Sequence, residues 1–270
     1  RKTEALGAHP KTNQFKAVKI TFLGTGTSQG IPVIACSCPV CTSSDARDQR
    51  LRSSILIESK GKSIVIDSGP DFRYQMLRAG VKRLDAVVFT HEHKDHIAGL
   101  DDIRAFNYKQ GEAINIYAHK RVQDALKREF HYVFTHDKYP GVPELDLFEI
   151  GHHPFHVAGI EFMPIEVMHF KLPVLGFRIG DFTYITDAKT VTESERAKIR
   201  GTKVLVINAL QKEKHISHFT LEEALEFAAD IGADQTYFTH ISHRLGTHQE
   251  ISALLPPAVA LAYDGLVLEK

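Results

Sequence analysis

The sequence predicts a layered α/β domain. Three observations lead there. Short apolar runs rich in Val, Ile, Phe and Thr alternate with segments of helical periodicity along the chain. No linker, low-complexity stretch or charge block interrupts the alternation. Several strand-like runs end in an acid or a histidine. With 270 residues the chain can bury one large core. The expected organisation is a single domain over residues 18–270, preceded by a polar extension, residues 1–17, expected to be partly disordered.

In chain order, strands are expected at Lys19–Leu23, Ser54–Glu58, Ser63–Asp67, Leu84–Thr90, Ile114–Ala118, Gly159–Val167, Val174–Ile179, Phe182–Thr186, Lys203–Ala209, Gln235–Thr239 and Ala258–Leu268. Each is a short β-branched or aromatic run. Helices are expected at Phe72–Ala79, Ile97–Tyr108, Arg121–Phe130, Glu193–Ile199 and Leu221–Ile231. The last has Thr220 and Glu223 in capping-box spacing and an apolar stripe of Leu221, Ala224, Leu225, Ala228 and Ile231. Thr192 and Glu195 repeat the cap before Glu193–Ile199.

Lys+Arg and Asp+Glu are 33 each, so net charge gives no reason to expect nucleic acid as partner. No apolar run approaches the roughly 18 residues of a membrane span. The N-terminus lacks the apolar core of a signal peptide. The expected compartment is the cytoplasm, where cysteines more often bind metal or catalyse than pair. The chain has 16 histidines, several in tight groups with acids, and a metal-dependent protein is the first expectation.

The central motif is VVFTHEHKDHIAGL. An apolar strand runs into His91, His93, Asp95 and His96, four potential ligands in six residues. One metal cannot easily take all four, so the spacing suits two adjacent metals. Other strand-like runs end in Asp67, His169, Asp187 and His240, as a site built along one sheet edge requires.

The order Asp67, HxHxDH, His169, Asp187, His240 resembles the metallo-β-lactamase fold superfamily of binuclear hydrolases. The resemblance implies a four-layer αββα sandwich. It also implies one divalent ion (Mn²⁺ or Zn²⁺) on His91, His93 and His169, and a second on Asp95, His96 and His240. Asp187 bridges them, and Asp67 orients a ligand histidine. The chemistry implied is hydrolysis by a metal-activated water.

CSCPVC holds every cysteine of the chain: Cys36, Cys38 and Cys41. An odd number excludes a closed disulfide set. The hexapeptide resembles the PhnP-type phosphoribosyl cyclic phosphodiesterases, in which such a cluster binds a structural zinc. The resemblance makes His243, in THISH, the fourth ligand, and Cys₃His is a closed zinc set. It also points to His218 as an auxiliary catalytic histidine, ahead of His215, with Asp187 and Asp67 as the other catalytic residues. His218 lies two residues before the Thr220 cap, where a helix N-terminus would favour an anion.

The expected activity is hydrolysis of a small phosphodiester, a ribosyl cyclic phosphate above all. Alternatives are a ribonuclease Z-like tRNA-processing enzyme and a biosynthetic accessory like coenzyme PQQ biosynthesis protein B. The expected partner is a small phosphate-containing molecule rather than nucleic acid or membrane, and a homodimer is allowed. GTGTSQG lacks the lysine of a P-loop and reads as a turn. Arg50 and Arg52 read as solvated, and His152, His153 and His156 as a surface loop.

Overall fold

The computed structural model describes residues 18–269, so the expectation for residues 1–17 falls outside the described residues. The first half of the chain forms β1 (Lys19–Gly24), β2 (Ser54–Ser59), β3 (Lys62–Ile66), α1 (Phe72–Arg78), β4 (Ala86–Val88), α2 (Lys94–Ile97), α3 (Arg104–Gln110), β5 (Ile114–Ala118), α4 (Lys120–Glu129), α5 (His131–Phe134) and β6 (Leu145–Glu149). The second half forms β7 (Phe155–Val157), β8 (Ile160–His169), β9 (Leu172–Ile179), β10 (Phe182–Tyr184), α6 (Glu193–Ile199), β11 (Val204–Asn208), α7 (Leu221–Ile231), β12 (Gln235–Thr239), α8 (His248–Ser252), β13 (Val259–Leu261) and β14 (Val267–Glu269).

Two seven-stranded sheets result, in the orders β14-β1-β2-β3-β4-β5-β6 and β13-β12-β11-β10-β9-β8-β7. Alternation within the strands stacks them into layers. Ile55 and Ile57 point between the sheets, where they join Phe22, Phe162, Phe177 and Val206. Leu56, from the opposite face of β2, packs with Phe72, Met76, Val122 and Leu126 under the helices of the first sheet. Val167 and Ile207 pack with Ile199, Phe227, Ile231 and Ile251 under the helices of the second. Central strands buried on both faces explain why they read as continuous apolar runs. The architecture is the expected αββα sandwich.

The parallel set β3-β4-β5-β6 and the parallel set β10-β11-β12-β13 carry the strand ends that matter. Ligands gather at the carboxyl ends of such strands.

Two expectations fail in detail, and several short elements carry no clear sequence signal. The run Ala258–Leu268 is two strands in different sheets. It breaks at Tyr263–Leu266, where Leu266 N–H donates to Tyr263 C=O and Gly265 adopts φ +91°. The Asp264 carboxylate in that turn accepts from Leu51 N–H and the Thr25 hydroxyl. The helix Ile97–Tyr108 is broken into α2, a 3₁₀ turn at Leu100–Ile103 and α3. The break is at Gly99, where an added Cβ would stand 2.1 Å from Gly69 O. The strands β6 and β7 are edge strands with exposed positions, too polar to stand out. The capping box Thr247–Glu250 opens α8, a helix of five residues too short for an apolar stripe. No helix among the described residues is long and apolar enough to cross a membrane.

Candidate metal centre

Asp67 closes β3 in a left-handed conformation (φ +65°) and is fully buried. Its carboxylate accepts from Thr90 N–H (2.8 Å) and from the Thr90 hydroxyl (2.8 Å). His96 Nδ1 lies 2.7 Å from Asp67 Oδ2. Asp67 therefore fixes the ring of His96 and turns its Nε2 away, toward Asp95 Oδ2 (3.1 Å) and Asp187 Oδ2 (3.3 Å). Thr90 extends the same control to His91, whose Nδ1 is 2.9 Å from the Thr90 hydroxyl. That hydroxyl has given its proton to Asp67, so His91 Nδ1 must donate and Nε2 keeps its lone pair.

The second sheet supplies the facing groups. Asp187 follows β10 and His240 follows β12, both at positive φ (+55°). Asp187 Oδ2 accepts from the Thr186 hydroxyl at 2.6 Å, and its Oδ1 lies 3.2 Å from His240 Nε2. His240 Nδ1 is 3.3 Å from the Thr186 hydroxyl, and Nε2 is 3.2 Å from Thr27 in the glycine-rich turn. His169 ends β8 and donates from Nδ1 to Ser217 C=O at 2.9 Å.

Donor atoms of His91, His96 and Asp187 lie within 4.8 Å of one another, as do those of Asp95, His96 and His240, and those of His169, Asp187 and His218. The set Asp95, His96, His240 is the one expected. The set His91, His93, His169 is not gathered as compactly. His93 is exposed, its ring 4.6 Å from His91 and 5.2 Å from His169. His218 joins the cluster as well. It is buried, its ring 4.4 Å from His169 and 4.8 Å from His240, with Nδ1 3.8 Å from Asp187 Oδ1. The N–H groups of Thr220, Leu221 and Glu223 are already taken by Glu223, Gln211 and Thr220, so the start of α7 offers an anion little. His215 is half-buried, its ring 5.2 Å from His218.

Electrostatics fit cation binding. Burial pushes His91 and His240 down, and His218 to about 2, so these rings are neutral and offer lone pairs. Burial raises Asp187, but His240 and His96 outweigh it and hold Asp187 well below the usual carboxylate range. Asp95 is likewise held down despite burial, by His96. For His96 burial acts downward, yet Asp95, Asp187 and Asp67 carry it well above its ordinary value. Three carboxylates around one imidazole call for positive charge. His91 Nε2, His96 Nε2 and His218 Nδ1 are buried without a hydrogen-bond partner, an arrangement that divalent cations would satisfy.

A second cluster sits beside His240. His243 Nδ1 lies 3.3 Å from Cys36 Sγ and 3.5 Å from both Cys38 Sγ and Cys41 Sγ. The N–H groups of Cys41 and Val33 donate to Cys38 Sγ and Cys41 Sγ. The Cys41 N–H donation, the largest influence, and the neighbouring His243 lower Cys38 to about 6, while burial pushes Cys41 up to about 11. The four residues suit one tetrahedral zinc.

Residues 62–241 match the family model of the beta-lactamase superfamily domain. The chain belongs to the β-lactamase superfamily. Within that superfamily it is similar to the crystal structure of a diphosphatase from the PhnP family, at 38% identity and TM-score 0.89, over 94% of this chain and 97% of that one. Zn²⁺-bound PqqB from Methylobacterium extorquens shares the fold, at 20% identity and TM-score 0.75, over 93% and 99% of the two chains. An octanoyltransferase of Porphyromonas gingivalis is 42% identical over 252 residues, 92% of this chain and 51% of that protein. This chain thus spans about half the length of that relative.

For a superfamily member the sequence left one layer unread, the hydroxyls behind the ligands. Thr90, Thr186 and Thr239 each immediately precede a strand-end ligand, and Thr90 and Thr186 hydrogen-bond to it. That recurrence was the available signal. Arg50 is not solvated: it is buried and donates to Thr25 and to Ala262 C=O. Arg52 is held by Asp71. His152, His153 and His156 are exposed, as expected.

Proposed function

We propose that the chain is a binuclear metal-dependent phosphodiesterase acting on a small substrate, a ribosyl cyclic phosphate in first place. The observation that carries it is the position of Asp187, whose carboxylate belongs to donor groups on both sides, one with His91 and His96 and one with His169 and His218. Two cations, manganese or zinc, would be held by Asp95, His96 and His240 and by His91, His93 and His169, with Asp187 shared. Bound there, they would supply Lewis-acid activation of water and neutralise phosphate charge.

The remaining work falls to the chain. Asp67 and Thr90 hold His96 and His91 in one tautomer each, so their lone pairs converge without reorganisation. Thr186 fixes the Asp187 carboxylate. His218, packed between His169 and His240, would keep one ring N–H to hydrogen-bond the leaving oxygen of the opening ester. The Cys₃His cluster, with zinc, would anchor the turn that carries His240.

Support for the phosphodiester class comes from the Cys₃His cluster and from similarity to the PhnP-family diphosphatase. A net charge of zero weighs against a tRNA substrate. The match to the octanoyltransferase covers about half of that protein, so its acyl-transfer activity is not carried over. The test is steady-state hydrolysis of bis-p-nitrophenyl phosphate with added Mn²⁺ or Zn²⁺. Metal-dependent turnover that Asp187→Ala abolishes supports the reading. No turnover above the Asp187→Ala background defeats it.

A further inference from the structure

Among the described residues seven non-glycine residues have positive φ: Ala35, Lys60, Asp67, Ala158, Phe170, Asp187 and His240. Three of them, Asp67, Asp187 and His240, belong to the metal centre. Phe170 is the bulkiest and directly follows His169. Strained backbone that persists clusters at functional sites.

The strain at Phe170 has a clear origin. The register His169↔Leu172 leaves Phe170 and Lys171 as a two-residue hairpin loop between β8 and β9. Phe170 is at φ +57° while Lys171 is not positive, the pattern of a turn whose first loop residue is normally glycine. The aromatic side chain gains nothing from core packing, because Phe170 is 52% exposed. The Lys171 ammonium lies 5.3 Å from the ring centroid. Across the His169–Ser217 hydrogen bond, Ile216 is also exposed (65%). Each partner of the hydrogen bond that positions one proposed ligand is thus followed or preceded in sequence by an exposed apolar residue, with a cation beside the aromatic one.

We infer that Phe170 is a specificity-determining residue that stacks on a planar aromatic group of the substrate, making the preferred substrate a phosphodiester that carries a nucleobase. Aromatic side chains stack on bases of any sequence, and Lys171 adds positive charge for the phosphate at the same hairpin tip. The inference rests on the phosphodiesterase reading for its reaction but not for its measurement, which is binding.

The experiment is isothermal titration of the full chain, with Zn²⁺ present, against AMP and against ribose 5-phosphate, which differ by the base. Wild type should bind AMP roughly ten-fold more tightly, as stacking of one base allows. Phe170→Gly should bring the ratio close to one, and Phe170→Trp should keep it. Because glycine relieves the φ strain, the thermal midpoint of Phe170→Gly should not fall. Absent AMP binding, equal affinity for the two ligands in wild type, or an undiminished ratio in Phe170→Gly overturns the inference. Failure of the phosphodiesterase reading shows separately, as absent turnover of bis-p-nitrophenyl phosphate with the binding ratio still measurable.

Discussion

Asp67 Oδ2 stands 2.7 Å from His96 Nδ1, and both residues are completely buried. The contact lets a residue outside the donor groups set the direction of a proposed metal ligand. Asp67→Asn keeps the size but weakens the hydrogen bond that fixes the ring. We expect active-site metal affinity to fall about 10–100-fold, with the fold retained. Competition with a chelator, followed by circular dichroism, checks both halves. Unchanged affinity would show that His96 is oriented by other means.

Gly69 lets two backbones touch. A Cβ there would stand 2.1 Å from Asp95 O, a distance no side-chain movement can relieve. Gly69→Ala should therefore displace Asp95 and His96 and reduce metal content at the active site. Metal stoichiometry by mass spectrometry reads this directly. The Cys₃His cluster lies elsewhere and should keep its metal.

Cys36→Ser removes one thiolate from the second cluster. Bound zinc should drop by one equivalent and the thermal midpoint should fall, because metal affinity at a structural site is folding free energy. Thr27 N–H donates to Ile241 C=O, and Thr27 also contacts His240. Activity should thus decline while all seven proposed active-site ligands remain. Unaltered zinc content and melting would defeat the structural-zinc assignment.

His248 gives a pH prediction away from the metals. It is buried, and Arg50 Nη2 lies 3.2 Å from its Nδ1. Burial first, then Arg50 and Arg47, lower it from 6.5 to about 4. Between these values the unfolded chain takes the proton more readily than the folded one. Stability should be retained above pH 6.5 and decline as pH falls toward 4. Urea midpoints across that window should show a shallower decline in His248→Gln, and identical slopes would refute the assignment.

Much of the centre was legible because the ligands are local. HxHxDH packs four potential donors into six residues, and Asp67, Asp187, His169 and His240 each end an apolar run. The Thr220 and Thr192 caps marked α7 and α6 correctly for the same reason: the interaction spans three residues. What stayed hidden is set by distant partners. His218 was named by resemblance, but its packing against His169 and His240 is not readable from its local sequence. Arg50 is buried by Thr25 and Ala262, far away in sequence. The α2–α3 break depends on Gly69 lying against Gly99, which the helical pattern of Ile97–Tyr108 cannot reveal.

The last strand has a consequence for synthesis. β14 leaves the second half of the chain and pairs with β1: Lys19↔Glu269 and Thr21↔Val267. Until residues 267–269 emerge from the ribosome, β1 has an open edge that can pair with any neighbouring strand. A nascent chain stalled before residue 267 would therefore leave that edge of β1 uncovered and aggregation-prone.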